Sequence, residues 1–250
     1  MSMLKRLSAA GYPDILPCLA GSPCGAVYPL SVVEGRQHGE IYAAQDSFLL
    51  WHACGFAYLY GACREDVLEA VREAFMQRST RRFVLFTGEQ RIADFFRGKD
   101  GLKPGRRLAF FYPQTASPPP AALPEGFRIC EIGRELFAAL PGRITPLFSW
   151  SDAGAFLRHG KGYCILHGET PAAWAFSAAV SSEEIDIGVE TSPEYRNRGL
   201  ATLAAAQMLR YCIRIGKKPV WACDAANTGS QKLAGKLGFL QSTDYIIIRK

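Results

Sequence analysis

At 250 residues the chain is long enough for one large α/β domain or two small ones, and its 48% hydrophobic content supplies buried cores. A net charge of +6 is modest at this length, and the basic residues are scattered with no run of five, which argues against an extended nucleic-acid surface and leaves a small polyanion as the easier partner. No stretch of eighteen apolar residues occurs, and Gly11, Pro13, Asp14 and Pro17 interrupt any signal-peptide core, so a cytoplasmic protein without a membrane span is expected.

The eight cysteines (18, 24, 54, 63, 130, 164, 212, 223) include no CxxC pair, and several lie in apolar runs such as "YCIL" and "VWACDA". They are expected to be reduced, buried thiols rather than disulfides. The four histidines (38, 52, 159, 167) are too dispersed for a metal set.

In chain order, "SFLLWHACGFAYLYG" predicts two adjacent strands, "REDVLEAVREAFMQR" an amphipathic helix, "RRFVLFTG" a strand, "QRIADFFRG" a short helix and "RRLAFFYP" a strand. Val67, Leu68, Val71, Ala74 and Phe75 recur at helical spacing, a core-packing pattern. Trp51 and the aromatics at 56–60 are read the same way. The segment "YPQTASPPPAALPEGF", residues 112–127, holds four prolines between positions 118 and 124, which predicts an extended connector at 116–126. The chain thus divides into an α/β region at 1–115, the linker, and a second region at 127–250.

In the second region "GFRICEI" predicts a strand, "GRELFAAL" and "SDAGAFLRHG" helices, and "KGYCILHG" and "AAWAFSAAV" strands. Residues 183–190, "EEIDIGVE", alternate Ile185, Ile187 and Val189 against Glu184, Asp186, Gly188 and Glu190, a strand in which Gly188 marks a candidate bulge. The turn "TSPEY" and "RNRG" lead into a long helix with Leu200, Leu203, Ala204, Met208, Tyr211, Cys212 and Ile215 on its apolar positions, stopped by Gly216 and Pro219. Then follow a strand, "PVWACDAAN", and a short helix, "GSQKLAGKLGF", with Ser230 as N-cap and Gly238 as stop.

A strand feeding through an arginine-bearing turn into a helix N-terminus places unpaired backbone N–H groups and about half a positive charge where phosphate oxygens fit. Gly199 lets an anion approach the backbone, Ala201 keeps the next turn small, and Arg196 and Arg198 add charge-assisted donors. Taken alone, "RNRGLA" reads as an ordinary charged helix start rather than an anion site. Together with Asn227 and the later "KLGF" it resembles the C-terminal half of the GNAT superfamily of N-acetyltransferases, and the elements from 127 onward fit that family's first half. The signature Q/R-x-x-G-x-G/A falls on Arg196, Asn197, Arg198, Gly199, Leu200 and Ala201, and the later segment on Asn227 through Phe239.

The resemblance implies a GNAT acyltransferase fold, an α/β (α+β) mixed sheet, in the C-terminal half. The N-terminal α/β region would be a substrate-side element or a degenerate relative of the same fold. It implies acetyl-CoA as co-substrate, no metal, and an amine acceptor, with neither nucleic acid nor membrane as partner and a homodimer left open. The pyrophosphate would be held by the amides of Arg198, Gly199, Leu200, Ala201 and Thr202, with Arg196 and Asn197 at the start of the turn. The pantetheine would run beside Ile187 and Val189 and meet Asn227 from the opposite lip. The implied reaction is direct attack by a neutral amine, the Val189 N–H stabilising the oxyanion and a carboxylate accepting the amine proton. Asp186 is the candidate base, with Glu184 and Glu190 sharing its nominal face. Many family members carry a tyrosine ahead of the "LGF" in the last helix; here that position is Ala234. A non-catalytic acyl-CoA-binding protein is the alternative that this departure supports.

Overall fold

The computed structural model describes residues 3–20, 22, 24–77, 82–119 and 122–250, so Pro120 and Ala121 of the expected linker lie outside the described residues. Two units emerge, one formed by Met1–Leu108 with Asp244–Lys250 and the other by Ala109–Thr243.

The first unit contains β1 (Lys5–Arg6), α1 (Leu16–Leu19), α2 (Val27–Val33), β2 (Gly39–Ala44), β3 (Ser47–His52), β4 (Phe56–Gly61), α3 (Glu65–Gln77), β5 (Val84–Thr87), α4 (Gln90–Phe96) and the beginning of β6 (Lys103–Phe111). Strands β1 to β4 form an antiparallel run, and β5 joins β4 in parallel after the α3 crossover. The stripe on α3 buries Val67, Leu68, Val71 and Phe75 against Leu49, Trp51 and Ala57 of the sheet and Ile92 and Phe96 of α4. Tyr58 stacks on Phe86, and Phe56 meets Phe86 edge-on, so the aromatics at 56–60 serve the core. No element before residue 47 was expected. The helical segments found there are short and carry proline (Pro13, Pro17 and Pro29), which breaks the periodicity that would have marked them, while β1 has two residues and β2 six.

The second unit holds β7 (Phe127–Glu131), α5 (Arg134–Ala139), α6 (Ala153–His159), β8 (Gly162–His167), β9 (Thr170–Val180), β10 (Glu184–Thr191), α7 (Leu200–Arg214), β11 (Lys218–Asp224), α8 (Thr228–Leu237) and the beginning of β12 (Leu240–Arg249). Strands β7 to β10 are antiparallel in sequence order, and β11 lies parallel to β10. On α7, Leu200, Ala204, Ala205, Met208, Leu209 and Cys212 are buried, and Gly216 stops the helix with φ +70°. The far end of β12 groups with the first unit, where Ile246–Arg249 pair antiparallel with Val84–Thr87.

Two local expectations are corrected. Gly188 is not the bulge: it pairs with Phe176, and the register shift falls between Asp186 and Ile187. Gly188 is small because a Cβ would stand 2.8 Å from the Phe176 ring. Nor is Ser230 the N-cap of α8. Asn227 is, its Oδ1 accepting from the Ser230 amide at 3.0 Å, while Ser230 Oγ accepts from Trp221 Nε1 at 3.0 Å.

All eight cysteines are free thiols. Burial pushes Cys24, Cys164 and Cys212 up to about 12, so they stay protonated at neutral pH.

Candidate active site

The site begins where two parallel strands part. Strand β10 matches β11 only through Glu184 with Lys218, Ile185 with Pro219 and Asp186 with Val220, whereas its pairing with β9 continues to Thr191. From Ile187 onward the edge of β10 that faced β11 has no ladder partner there. Such an edge can accept an extended ligand as a further strand.

Past Thr191 the chain makes one 3-10 turn, Pro193–Tyr195, with the Tyr195 amide donating to Ser192 O at 2.9 Å. Asn197 (φ +62°) and Gly199 (φ +76°) then take left-handed conformations on either side of Arg198. Gly199 caps α7, its carbonyl accepting from Thr202 at 3.0 Å and Leu203 at 3.3 Å. The amides of Asn197, Arg198, Gly199, Leu200 and Ala201 have no protein acceptor among the described residues. Beyond its chain neighbours, no atom of the described residues lies within 4 Å of a Cβ built on Gly199, so the space beside this residue is open. Unpaired N–H groups at the positive end of a 15-residue helix have the charge that suits an anion.

This turn and the parted strands open into one cleft of about 530 Å3. Among its lining residues are Val189, Arg196, Asn197, Gly199, Leu200, Ala201, Thr202 and Asn227, all singled out in the sequence. Three expected residues are not among them: Ile187 and Asp186, which are 5% and 6% exposed within β10, and Arg198, whose guanidinium lies over the Tyr195 ring at 5.7 Å. The Thr202 amide is already committed to Gly199, which narrows the free donors to the residues before it. The cleft also brings in Lys232 and Lys236 of α8, which were not anticipated. Their i,i+4 spacing opposite the buried Ala234 and Leu237 was the available signal.

The three candidate carboxylates separate by environment. Glu190 Oε2 accepts from the Arg143 and Ile144 amides at 2.9 and 2.6 Å, and a Cβ on Gly142 would meet that carboxylate at 2.7 Å. Glu190 therefore fastens the 142–144 segment to β10. That segment is held again by Trp174 Nε1 donating to Ile144 O at 2.8 Å. Burial raises the Glu184 carboxyl above its ordinary value, reinforced by Glu183 and Asp186 and opposed by Lys218. Asp186 stands at the last rung shared by β10 and β11, where the strands begin to part.

The first unit repeats the connection β4, α3, β5 with the same three-rung parallel ladder, Phe56 with Val84 through Tyr58 with Phe86. Its corresponding turn is filled. The Cys63 amide donates to Ser47 Oγ at 2.9 Å, and Arg91 donates to the Cys63 and Ala62 carbonyls at 2.9 and 3.1 Å. A Cβ on Gly61 would lie 2.1 Å from Asp46 O. Glu65 and Asp66 occupy the first turn of α3, where they stabilise the helix and repel an anion.

Fold and cleft together define an acyltransferase of the GNAT kind. The sequence model of the GNAT acetyltransferase family matches residues 27–248, and the chain belongs to that family. With the family come the enzyme class, an N-acetyltransferase, and acyl-CoA-dependent acetyl transfer as the general chemistry. The chain is 25% identical over 258 residues, 99% of this chain and 98% of the relative, to an uncharacterized N-acetyltransferase, YdfB, of Bacillus subtilis (strain 168). It is similar in structure to a GCN5-related N-acetyltransferase-like protein of Streptococcus suis 89/1591, with TM-score 0.77, 26% identity, and 97% and 99% of the two chains covered. A tandem GNAT protein from the clavulanic acid biosynthesis pathway shares the fold at TM-score 0.62 and 14% identity, with 99% and 97% covered. Among the described residues no helix is long and apolar enough to cross a membrane, and no cluster of metal-ligating side chains occurs.

Proposed function

We propose that the second unit transfers the acetyl group of acetyl-CoA to the neutral amine of a small-molecule acceptor by direct attack. The observation that carries this reading is that Asn197, Gly199, Leu200 and Ala201, whose amides are unpartnered, line one cleft with Val189 beside the parted strands. In this reading those amides hold the pyrophosphate, with Arg196 beside them. The free edge of β10 around Ile187 and Val189 holds the pantetheine arm, and Asn227 contributes its side-chain amide from α8.

The acceptor nitrogen forms a bond to the thioester carbon while the C–S bond breaks and its electron pair leaves on sulfur. The Val189 N–H stabilises the developing oxyanion. Asp186, which does not itself line the cleft, takes the amine proton through water. Direct attack is favoured over an acyl-enzyme because no cysteine lines the cleft and burial keeps Cys164 and Cys212 as thiols. The first unit is a degenerate relative of the same fold with its cradle closed, so one acetyl-CoA binds per chain. Eight free thiols suit a reducing, cytoplasmic setting.

Thiol release from saturating acetyl-CoA, followed across a panel of small amines, tests the reading. At least one amine accelerates release above the amine-free background, and Asp186→Asn lowers kcat for that amine while leaving the acetyl-CoA Kd within about twofold. If no amine accelerates release although acetyl-CoA binds, the chain is a binder. Ala234, fully buried where the family tyrosine would stand, favours that second reading.

A further inference from the structure

The donor carries two separate anionic groups, a pyrophosphate and a terminal phosphomonoester on its adenosine ribose. A cradle of backbone amides at one helix end offers partial positive charge suited to the first. A phosphomonoester, with about −1.5 to −2 charge at neutral pH, is held more strongly by formal cations. The cleft supplies three, namely Arg196, Lys232 and Lys236. Arg196 belongs to the turn itself. Lys232 and Lys236 stand one helical turn apart on the same side of α8, both exposed, and neither forms an ion pair among the described residues.

Three other basic residues of the second unit pair with carboxylates. Lys218 pairs with Glu183 at 2.9 Å, Arg128 with Glu169 at 2.8 Å, and Lys161 with Glu131. Lys236 lies in the last turn of α8, where any cation complements the helix end, but Lys232 lies mid-helix and has no such role. Two like charges at i,i+4 repel each other, a cost that an intervening anion removes.

We propose that Lys232 and Lys236 recognise the 3′-phosphomonoester of the donor, so that α8 selects CoA thioesters over their dephospho forms while the α7 turn holds the pyrophosphate common to both. This rests on the reading of the cleft as the acyl-CoA site. Calorimetric titration of the full chain with acetyl-CoA and with acetyl-3′-dephospho-CoA tests it. The wild type binds acetyl-CoA about tenfold or more tighter, the size of one or two exposed charge-assisted contacts. In Lys232→Gln/Lys236→Gln the ratio falls to within about twofold, through weaker acetyl-CoA binding alone, and Lys232→Gln by itself lowers it part of the way. Each variant's thermal unfolding is compared with the wild type to verify its fold. Equal wild-type affinities for the two thioesters, or a preference that survives in the double variant, overturns the lysine assignment and leaves the cleft reading standing. Binding of neither thioester overturns both.

Discussion

Replacing Gly199 by glutamate separates the role of the turn in folding from its role in binding. Gly199 sits at φ +76°, where a side chain costs about 1–2 kcal/mol in backbone strain. A Cβ there meets no protein atom within 4 Å, so no packing penalty is added. The ligand-free protein should therefore fold, with Tm lowered by about 2–8 °C for a chain of this size. Binding suffers far more. A carboxylate about 5 Å from a phosphate, at an effective dielectric of about 20, costs about 3 kcal/mol for each pair of unit charges, which is about two decades in Kd. Gly199→Asn is the control, since asparagine tolerates the left-handed region and adds no charge. Isothermal titration with acetyl-CoA should give about a hundredfold weaker binding for glutamate and less than about tenfold for asparagine. Affinity within about threefold of wild type for a folded Gly199→Glu protein would refute the placement of the anion at this turn.

The remaining expectations concern the residues around the cleft. Because burial lifts the folded-state pKa of Glu184 above its unfolded value, its contribution is complete below the unfolded pKa and lost as pH rises through the folded one. Glu184→Gln should consequently raise Tm at neutral pH and match the wild type below about pH 4, as read from thermal scans across pH. Asn227→Ala removes the cap of α8 and costs about 1 kcal/mol. Asn227→Asp keeps the cap and the Tm but sets a negative charge in the cleft, weakening acetyl-CoA about tenfold by titration. Unchanged affinity in Asn227→Asp would remove Asn227 from the site. Gly188→Ala drives a methyl group into the buried Phe176 ring and should cost about 1–3 kcal/mol by denaturant unfolding; a neutral change would show that β9 yields there.

The turn and its helix were legible because local chemistry determines them: Pro193, Gly199 and Gly216 each occupy a position whose backbone conformation they favour. The alternation at 184–190 likewise gave β10. The reason for Gly188 was not legible, since it lies in Phe176 on a neighbouring strand. The capping role of Asn227 escaped because serine at 230 fits the same rule, and only the Trp221 contact removes it from contention. Glu190 looked like a candidate base, yet its partners are the amides of residues 143 and 144, more than forty positions away. Non-local partners decide each of these cases. The filled turn of the first unit was visible only as a missing signature, whereas its ladder with β5 shows the repeated connection.

A crystal structure of the protein with acetyl-CoA tests the central claim most directly. The account predicts one ligand per chain in the cleft of the second unit, its pyrophosphate oxygens about 3 Å from amides between Arg198 and Ala201 and its thioester oxygen facing the Val189 N–H. A ligand seated in the first unit, or a pyrophosphate held away from the α7 turn, would contradict it.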